Sequence, residues 1–143
     1  MKKVDVVVVH FQPLEGYPPV MNVIQSLVYE NISSAIITTG SAKDWFNPNG
    51  VWFFKLGSYH GNSIKRYLCY LKFNVIGLFK LLNLNPSCVI CYETVSIGPV
   101  YIYKLLKRET RVFIHYHEYE SVSEKASFSW YQKFLGKLES KLL

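Results

Sequence analysis

"CVICYETVSIGPVYIYKLL", Cys88 to Leu106, holds two patterns joined by a short loop. Cys88 to Tyr92 is an apolar run bounded by Ser87 and Glu93, which has the length and composition of a buried strand. Glu93 to Ser96 is short and polar enough to be a connection. Gly98 and Pro99 then fall in the first turn of a helix, where proline loses no helical hydrogen bond. Val100 to Leu106 is apolar on one side, and Lys104, Lys107 and Arg108 crowd its end, where cations suit the helix dipole. Arg111 to His115 follows as another strand. A buried strand, a helix and a second strand in this order make a β-α-β unit, and such units build parallel sheets.

The same grammar extends outward in both directions. Val4 to Val9 is a β-branched run that reads as a strand buried on both faces. His10 to Pro19 is a loop punctuated by three prolines and Gly16. Val20, Val23, Ile24, Leu27 and Val28 have helical spacing, and Ser34 to Thr39 is a second strand stopped by Gly40. Lys43 to Gly50 is a loop, Val51 to Leu56 a third strand, and Gly57 to Ser63 a second glycine-bearing loop. Ile64, Leu68, Leu71, Val75, Leu78 and Leu82 recur at steps of three and four, which predicts a long helix ending near Asn83 to Asn85. Phe128 to Leu143 reads as a final amphipathic helix with Phe128, Tyr131, Phe134, Leu135, Leu138 and Leu142 on one side. The order β-α-β-β-α-β-α-β-α predicts an α/β fold: a Rossmann-like, open, mostly parallel sheet of about five strands flanked by helices. The last helix reaches the final residue with no closing glycine, proline or polar tail, which favours the first half of a longer protein over a small complete domain.

The chain has 143 residues, half of them apolar and 18% charged, which is globular composition with room for a core. Its formal net charge of +6 admits anionic partners, but the basic residues are spread out and no run of five occurs, so nucleic acid is not an expected partner. An odd set of three cysteines without a signal peptide points to a reducing compartment, and a cytoplasmic location is expected. No stretch approaches an uninterrupted apolar span of about 18 residues, so no membrane-spanning helix is predicted. The helix from Ile64 carries Lys65, Arg66, Lys72 and Lys80 among its apolar residues. It allows peripheral contact with the inner face of a membrane, although a core helix with its cations in solvent is the commoner arrangement.

Open parallel sheets bind ligands beyond the carboxyl ends of their strands. Those ends hold His10, Gln12, Glu15, Gly16 and Tyr17 after the first strand, Tyr92, Glu93, Thr94 and Ser96 after the fourth, and His115, His117, Glu118 and Glu120 after the fifth. All four histidines lie at or just beyond strand ends, which places a polar cleft along one rim. Within that rim His117 suits hydrogen bonding to a sugar or phosphate, or acid–base work near neutral pH. Glu93 and Glu118 could pair across neighbouring strands. His115 and His117 share a face, but spacing specifies no third ligand, so no metal site is assigned. Cys88 and Cys91 have CxxC spacing yet face opposite sides of a strand, so both read as core residues. Glycine-rich nucleotide fingerprints, a P-loop, a GxSxG elbow and a DxD motif are all absent.

Taken together, "HFQPLEGYPPVMNVIQSL", "SAIITTG", "CVICYETVSIGPVYIYKLL" and "RVFIHYHEY" resemble the N-terminal domain of a GT-B glycosyltransferase of the family 4 type. The resemblance covers essentially the whole chain and less than half of such an enzyme. It implies an acceptor-binding domain, residues 1–143, of an enzyme that transfers a sugar from a nucleotide-sugar to a saccharide or lipid-linked acceptor, as in surface polysaccharide synthesis. The nucleotide-sugar donor would be held by a C-terminal domain outside this chain, and neither metal nor other cofactor would be needed. It places Gly16, with Glu15 and Tyr17, near the donor phosphates and the cleft. It matches His117 to a histidine that faces the reacting sugar, with Glu118 following, and Glu93 and Thr94 to the loop after the fourth strand; His115 lies at the same tip. The loop after the first strand has one glycine where many members have two. Alone, this chain would bind acceptor weakly and transfer nothing. Two other readings stay open: a stand-alone Rossmann-like module that binds a nucleotide or phosphorylated ligand without catalysis, and a metal or hydrolytic enzyme using His115, His117 and Glu118.

Overall fold

Valine dominates Val6–His10 (β1) because this strand lies in the middle of the sheet, where β-branched side chains pack on both faces. Val7, Val8 and Val9 are all fully buried. The computed structural model describes residues 4–14, 17–40, 50–57, 63–116 and 130–142. After β1 come α1 (Pro18–Tyr29), β2 (Ser34–Thr38), β3 (Val51–Lys55), α2 (Ser63–Leu84) and β4 (Cys88–Tyr92). A short 3-10 turn, Thr94–Ser96, leads directly into α3 (Ile97–Leu106), then β5 (Arg111–His115) and α4 (Trp130–Glu139). The sheet order is β3-β2-β1-β4-β5 and every pairing is parallel. This is the Rossmann-like α/β fold that the sequence predicts, with each expected strand and helix within a few residues of its place.

The order of the chain through the sheet reverses between β1 and β4: β1, β2 and β3 step one way from the centre, and β4 and β5 step the other. Right-handed crossovers then put the intervening helices on opposite faces. Val8, Ile36 and Tyr92 meet Val20 and Ile24 of α1 on one face. Val7, Val9, Ile37, Val89 and Cys91 meet Phe73 and Leu81 of α2, Ile97, Val100 and Tyr103 of α3, and Leu135 of α4 on the other.

Helix ends follow from local chemistry. Asn31 and Asn85 adopt positive φ (55° and 46°) just past α1 and α2, a conformation asparagine tolerates better than most residues. Ile32 N–H donates to Leu27 O and Asn31 N–H to Val28 O, closing the last turn of α1. Gly98 lets α3 approach α2: a Cβ there would lie 1.9 Å from Asn74 Oδ1.

Two helices differ from their sequence patterns in orientation. The residues of α2 that enter the core are Cys69, Phe73, Gly77, Leu81 and Leu84. The first part of the stripe that sets its periodicity lies outside, with Ile64, Leu68, Leu71 and Val75 each more than two-fifths exposed, while Leu78 and Leu82 pack against the core. In α4, Leu135 is buried while Phe134 is half exposed. The expected helix start at Phe128 and the loop at 43–49 lie outside the described residues.

Candidate functional site

Residues at the carboxyl ends of β1 and β4 are bound into one unit. Phe11 N–H donates to Ser96 Oγ at 2.8 Å, across the chain reversal. Thr38 Oγ1 donates to Gln12 O at 2.8 Å, and Thr39 Oγ1 donates to Phe11 O. Gly40, at φ +82°, packs so close to Pro13 that a Cβ would fall 2.6 Å from its ring. The backbone after β1 is thus held from β2 on one side and from the β4 connection on the other. The open rim between them is where parallel sheets of this order accept ligands.

On the α2 side of this rim lies a cavity of about 470 Å³. Phe11, Gln12 and Val95 supply its sheet side, Arg66, Tyr67 and Tyr70 come from the first turns of α2, and Trp130 opens α4. The Phe11 ring makes edge contacts with Tyr70 at 5.0 Å and Phe73 at 5.1 Å, which fixes the cavity floor to the core. Trp130 is 79% exposed at the mouth. A wider, more open hollow of about 590 Å³ lies at the opposite rim, among Asn85, Ser87 and Leu105 to Thr110. It sits at the amino ends of the strands, away from the converging loops and helix N-termini, so the aromatic cavity is the better ligand site despite its smaller size.

On the α1 side of the rim, the described residues hold a row of packed rings. The register that sets His10 beside Tyr92 and Tyr92 beside His115 brings their rings together, the first pair edge-on and the second tilted. Tyr17 meets His10 at 4.4 Å, His10 meets Tyr92 at 6.0 Å, and Tyr92 meets His115 at 4.7 Å. His10 is fully buried, and neither ring nitrogen has a hydrogen-bond partner among the described residues. Burial lowers its pKa to about 4, opposed in part by the Tyr92 backbone, so the ring is neutral near pH 7. The Tyr17 hydroxyl donates to Gln12 Oε1, linking this ladder to the cavity wall.

Glu93 joins the two sides. Its backbone has φ 63° and ψ 147°, a region that glycine occupies and other residues avoid. Its N–H donates to His115 O at 3.0 Å, and its carbonyl accepts Ser96 N–H at 3.0 Å. This kink turns the chain from β4 into the 3-10 turn within one residue. Below it, Cys91 is fully buried, and burial, with Glu139 and then Glu93 nearby, holds its thiol far above the ordinary range. The carboxyl of Glu139 is raised by burial and lowered in part by the Thr94 hydroxyl, which donates to it at 2.9 Å. All three cysteines are free thiols, and among the described residues no group of three metal-ligating side chains converges.

Of the residues singled out from sequence, Tyr17, Glu93, Thr94 and His115 lie along this rim. Tyr17 and His115 are connected through His10 and Tyr92, while Thr94 is spent on Glu139. Glu15, Gly16, His117 and Glu118 lie outside the described residues, as does the Glu93–Glu118 pairing. Sequence reasoning missed Phe11, Arg66, Tyr67, Tyr70, Val95 and Trp130. The available signal was Arg66, Tyr67 and Tyr70 clustered at the start of a helix whose N-terminus must point to the ligand rim. Comparison with protein-family models, with curated proteins and with solved structures gave no match to this chain.

Proposed function

We propose that this chain is the acceptor-binding half of a sugar transferase, which receives a saccharide or lipid-linked saccharide at the rim between β1 and β4. The observation that carries this reading is the cavity lined by Tyr67, Tyr70, Trp130, Gln12 and Arg66. Aromatic faces pack against the apolar face of a sugar ring, an amide exchanges hydrogen bonds with hydroxyls, and a guanidinium suits a phosphate or carboxylate on the acceptor. The strained Glu93 at the same rim supports it, because such backbone persists where the surroundings hold a functional geometry. His117 and Glu118 are the proposed catalytic residues by resemblance, and Glu15, Gly16, Tyr17, Glu93, Thr94 and His115 the proposed substrate-binding residues. The nucleotide-sugar belongs to a donor domain outside this chain, so the chain alone binds and does not transfer.

Calorimetry on the 143-residue chain tests this reading. Glycosides, with and without a phosphate, are expected to bind weakly, and Tyr70→Ala or Arg66→Ala to weaken that binding by about tenfold, roughly the loss of one stacking or charge-assisted contact. Uridine or guanosine diphosphate sugars are expected to give no saturable heat. Micromolar nucleotide binding with silent glycosides would overturn the proposal in favour of a stand-alone nucleotide module.

A further inference from the structure

Helix α2 is apolar on two sides, and its core satisfies one. Cys69, Phe73, Gly77 and Leu81 enter the core at steps of four. Ile64, Leu68, Leu71, Val75 and Phe79 run along the opposite side and are 70%, 58%, 43%, 55% and 60% exposed. Five such side chains leave on the order of 500 Å² of contiguous apolar surface, at the upper end of what a monomer shows without using it. Mean hydropathy reaches 1.2 over an 18-residue stretch of α2, so by length and composition the helix could cross a bilayer, which the sequence pattern does not predict. Its inner residues are locked into the core, so the helix can lie along a lipid surface and cannot cross one.

Charge selects the occupant. The 22 residues of α2 include Lys65, Arg66, Lys72 and Lys80, and no aspartate or glutamate. Lys80 stands over the Phe54 ring at 4.4 Å, on the sheet side. Lys65 and Lys72 are seven residues apart, so both lie on one flank of the outer stripe, and both are exposed. A stripe of Leu, Ile, Val and Phe edged by lysines is the pattern of a helix lying in the plane of an anionic bilayer. A second copy of the chain fits less well. Antiparallel helix-to-helix pairing along the stripe would bring lysine flanks together with no acid on α2 itself between them, and the exposed area falls short of the roughly 800 Å² per partner of a stable interface.

We infer that the outer face of α2 docks on an anionic lipid surface, with Ile64, Leu68, Leu71, Val75 and Phe79 in the acyl boundary and Lys65 and Lys72 on the headgroups. Docking stands on α2 alone. One consequence rests on the acceptor reading: Tyr67 lines both the edge of the stripe and the cavity mouth, with Trp130 across from it, so the cavity would open at headgroup level and favour a lipid-linked acceptor.

Vesicle co-sedimentation of the full chain tests docking without any sugar present, so its failure is separable from failure of the acceptor reading. Vesicles of phosphatidylcholine with about 30% phosphatidylglycerol are expected to bind at least about tenfold more protein than pure phosphatidylcholine, with the difference lost in high salt. Leu68→Glu with Val75→Glu is expected to abolish binding while circular dichroism stays unchanged, since both side chains face solvent. Tyr29→Glu, 84% exposed on α1, is expected to bind as the parent does. Failure of the parent to pellet with anionic vesicles, or retained binding in the double variant, would overturn the inference. So would a dimer in sedimentation velocity that the same double variant disrupts, because the stripe would then serve a second copy.

Discussion

The two faces of the sheet are covered unequally, and their rims differ for that reason. On one face, among the described residues, α1 is the one helix that packs against Val8, Ile36 and Tyr92, and the rim above it carries the Tyr17–His10–Tyr92–His115 ladder with a fully buried imidazole. On the other face α2, α3 and α4 share a much larger core, yet the rim above it is open. The difference lies in what the helices bring to the top. Pro18, Pro19 and Val20 start α1 with no polar side chain aimed at the rim, whereas α2 and α4 start with Arg66, Tyr67, Tyr70 and Trp130 around a hollow. The thicker core underlies the aromatic cavity, and the thinner one underlies the ring ladder.

The largest test of this asymmetry is a matched pair of deletions. Leu81→Ala under α2 and Ile24→Ala under α1 both empty fully buried sites, within a range of about 2–5 kcal/mol for such changes. Leu81→Ala is expected near the top of that range, because three helices hold its cavity open. Ile24→Ala is expected near the bottom, because α1, the one helix on that face among the described residues, can settle inward. Equal losses in denaturant unfolding would break the comparison.

The ring ladder on the α1 side is sharpened by pH. His10 has a folded pKa of about 4 against an ordinary 6.5, so the unfolded chain binds the extra proton between those values. Its contribution is fully present above pH 6.5 and is lost as pH falls from 6.5 toward 4, by up to about 3 kcal/mol. His10→Leu should flatten that part of the stability profile. A profile that keeps the parent's slope would mean that His10 is hydrated or paired.

The smallest effect concerns the residue joining the two rims. Glu93→Gly should raise stability by about 1 kcal/mol by releasing the positive-φ strain, whereas Glu93→Ala should bring no gain. If both substitutions stabilise equally, the carboxylate and not the backbone is the source of the strain.

Much of this fold was legible because particular segments agree at every level. The valines of β1, the strand–loop–helix run from Cys88 to Leu106 and the asparagines at the end of α2 each point to one local structure. The facing of α2 was not legible, because both of its sides are apolar and the stronger periodicity belongs to the outer one. Tyr17, Glu93, Thr94 and His115 were placed at the rim correctly, since strand ends follow from strand assignment. The cavity escaped because Phe11, Tyr70, Val95 and Trp130 are far apart in the chain, and an aromatic residue early in a helix reads as core. His10 was read as one more polar rim residue, whereas its pairing register buries it completely.

The central claim is that the cavity between β1 and β4 receives a sugar, and the most direct measurement is chemical-shift mapping on the isotope-labelled chain. Glycosides should move the amide signals of Phe11, Gln12, Tyr70 and Val95 and the indole signal of Trp130, while nucleotide-sugars leave them in place. Shifts confined to Ser87 and Lys107 to Thr110 at the opposite rim, or saturation by nucleotide-sugars with glycosides silent, would contradict the account.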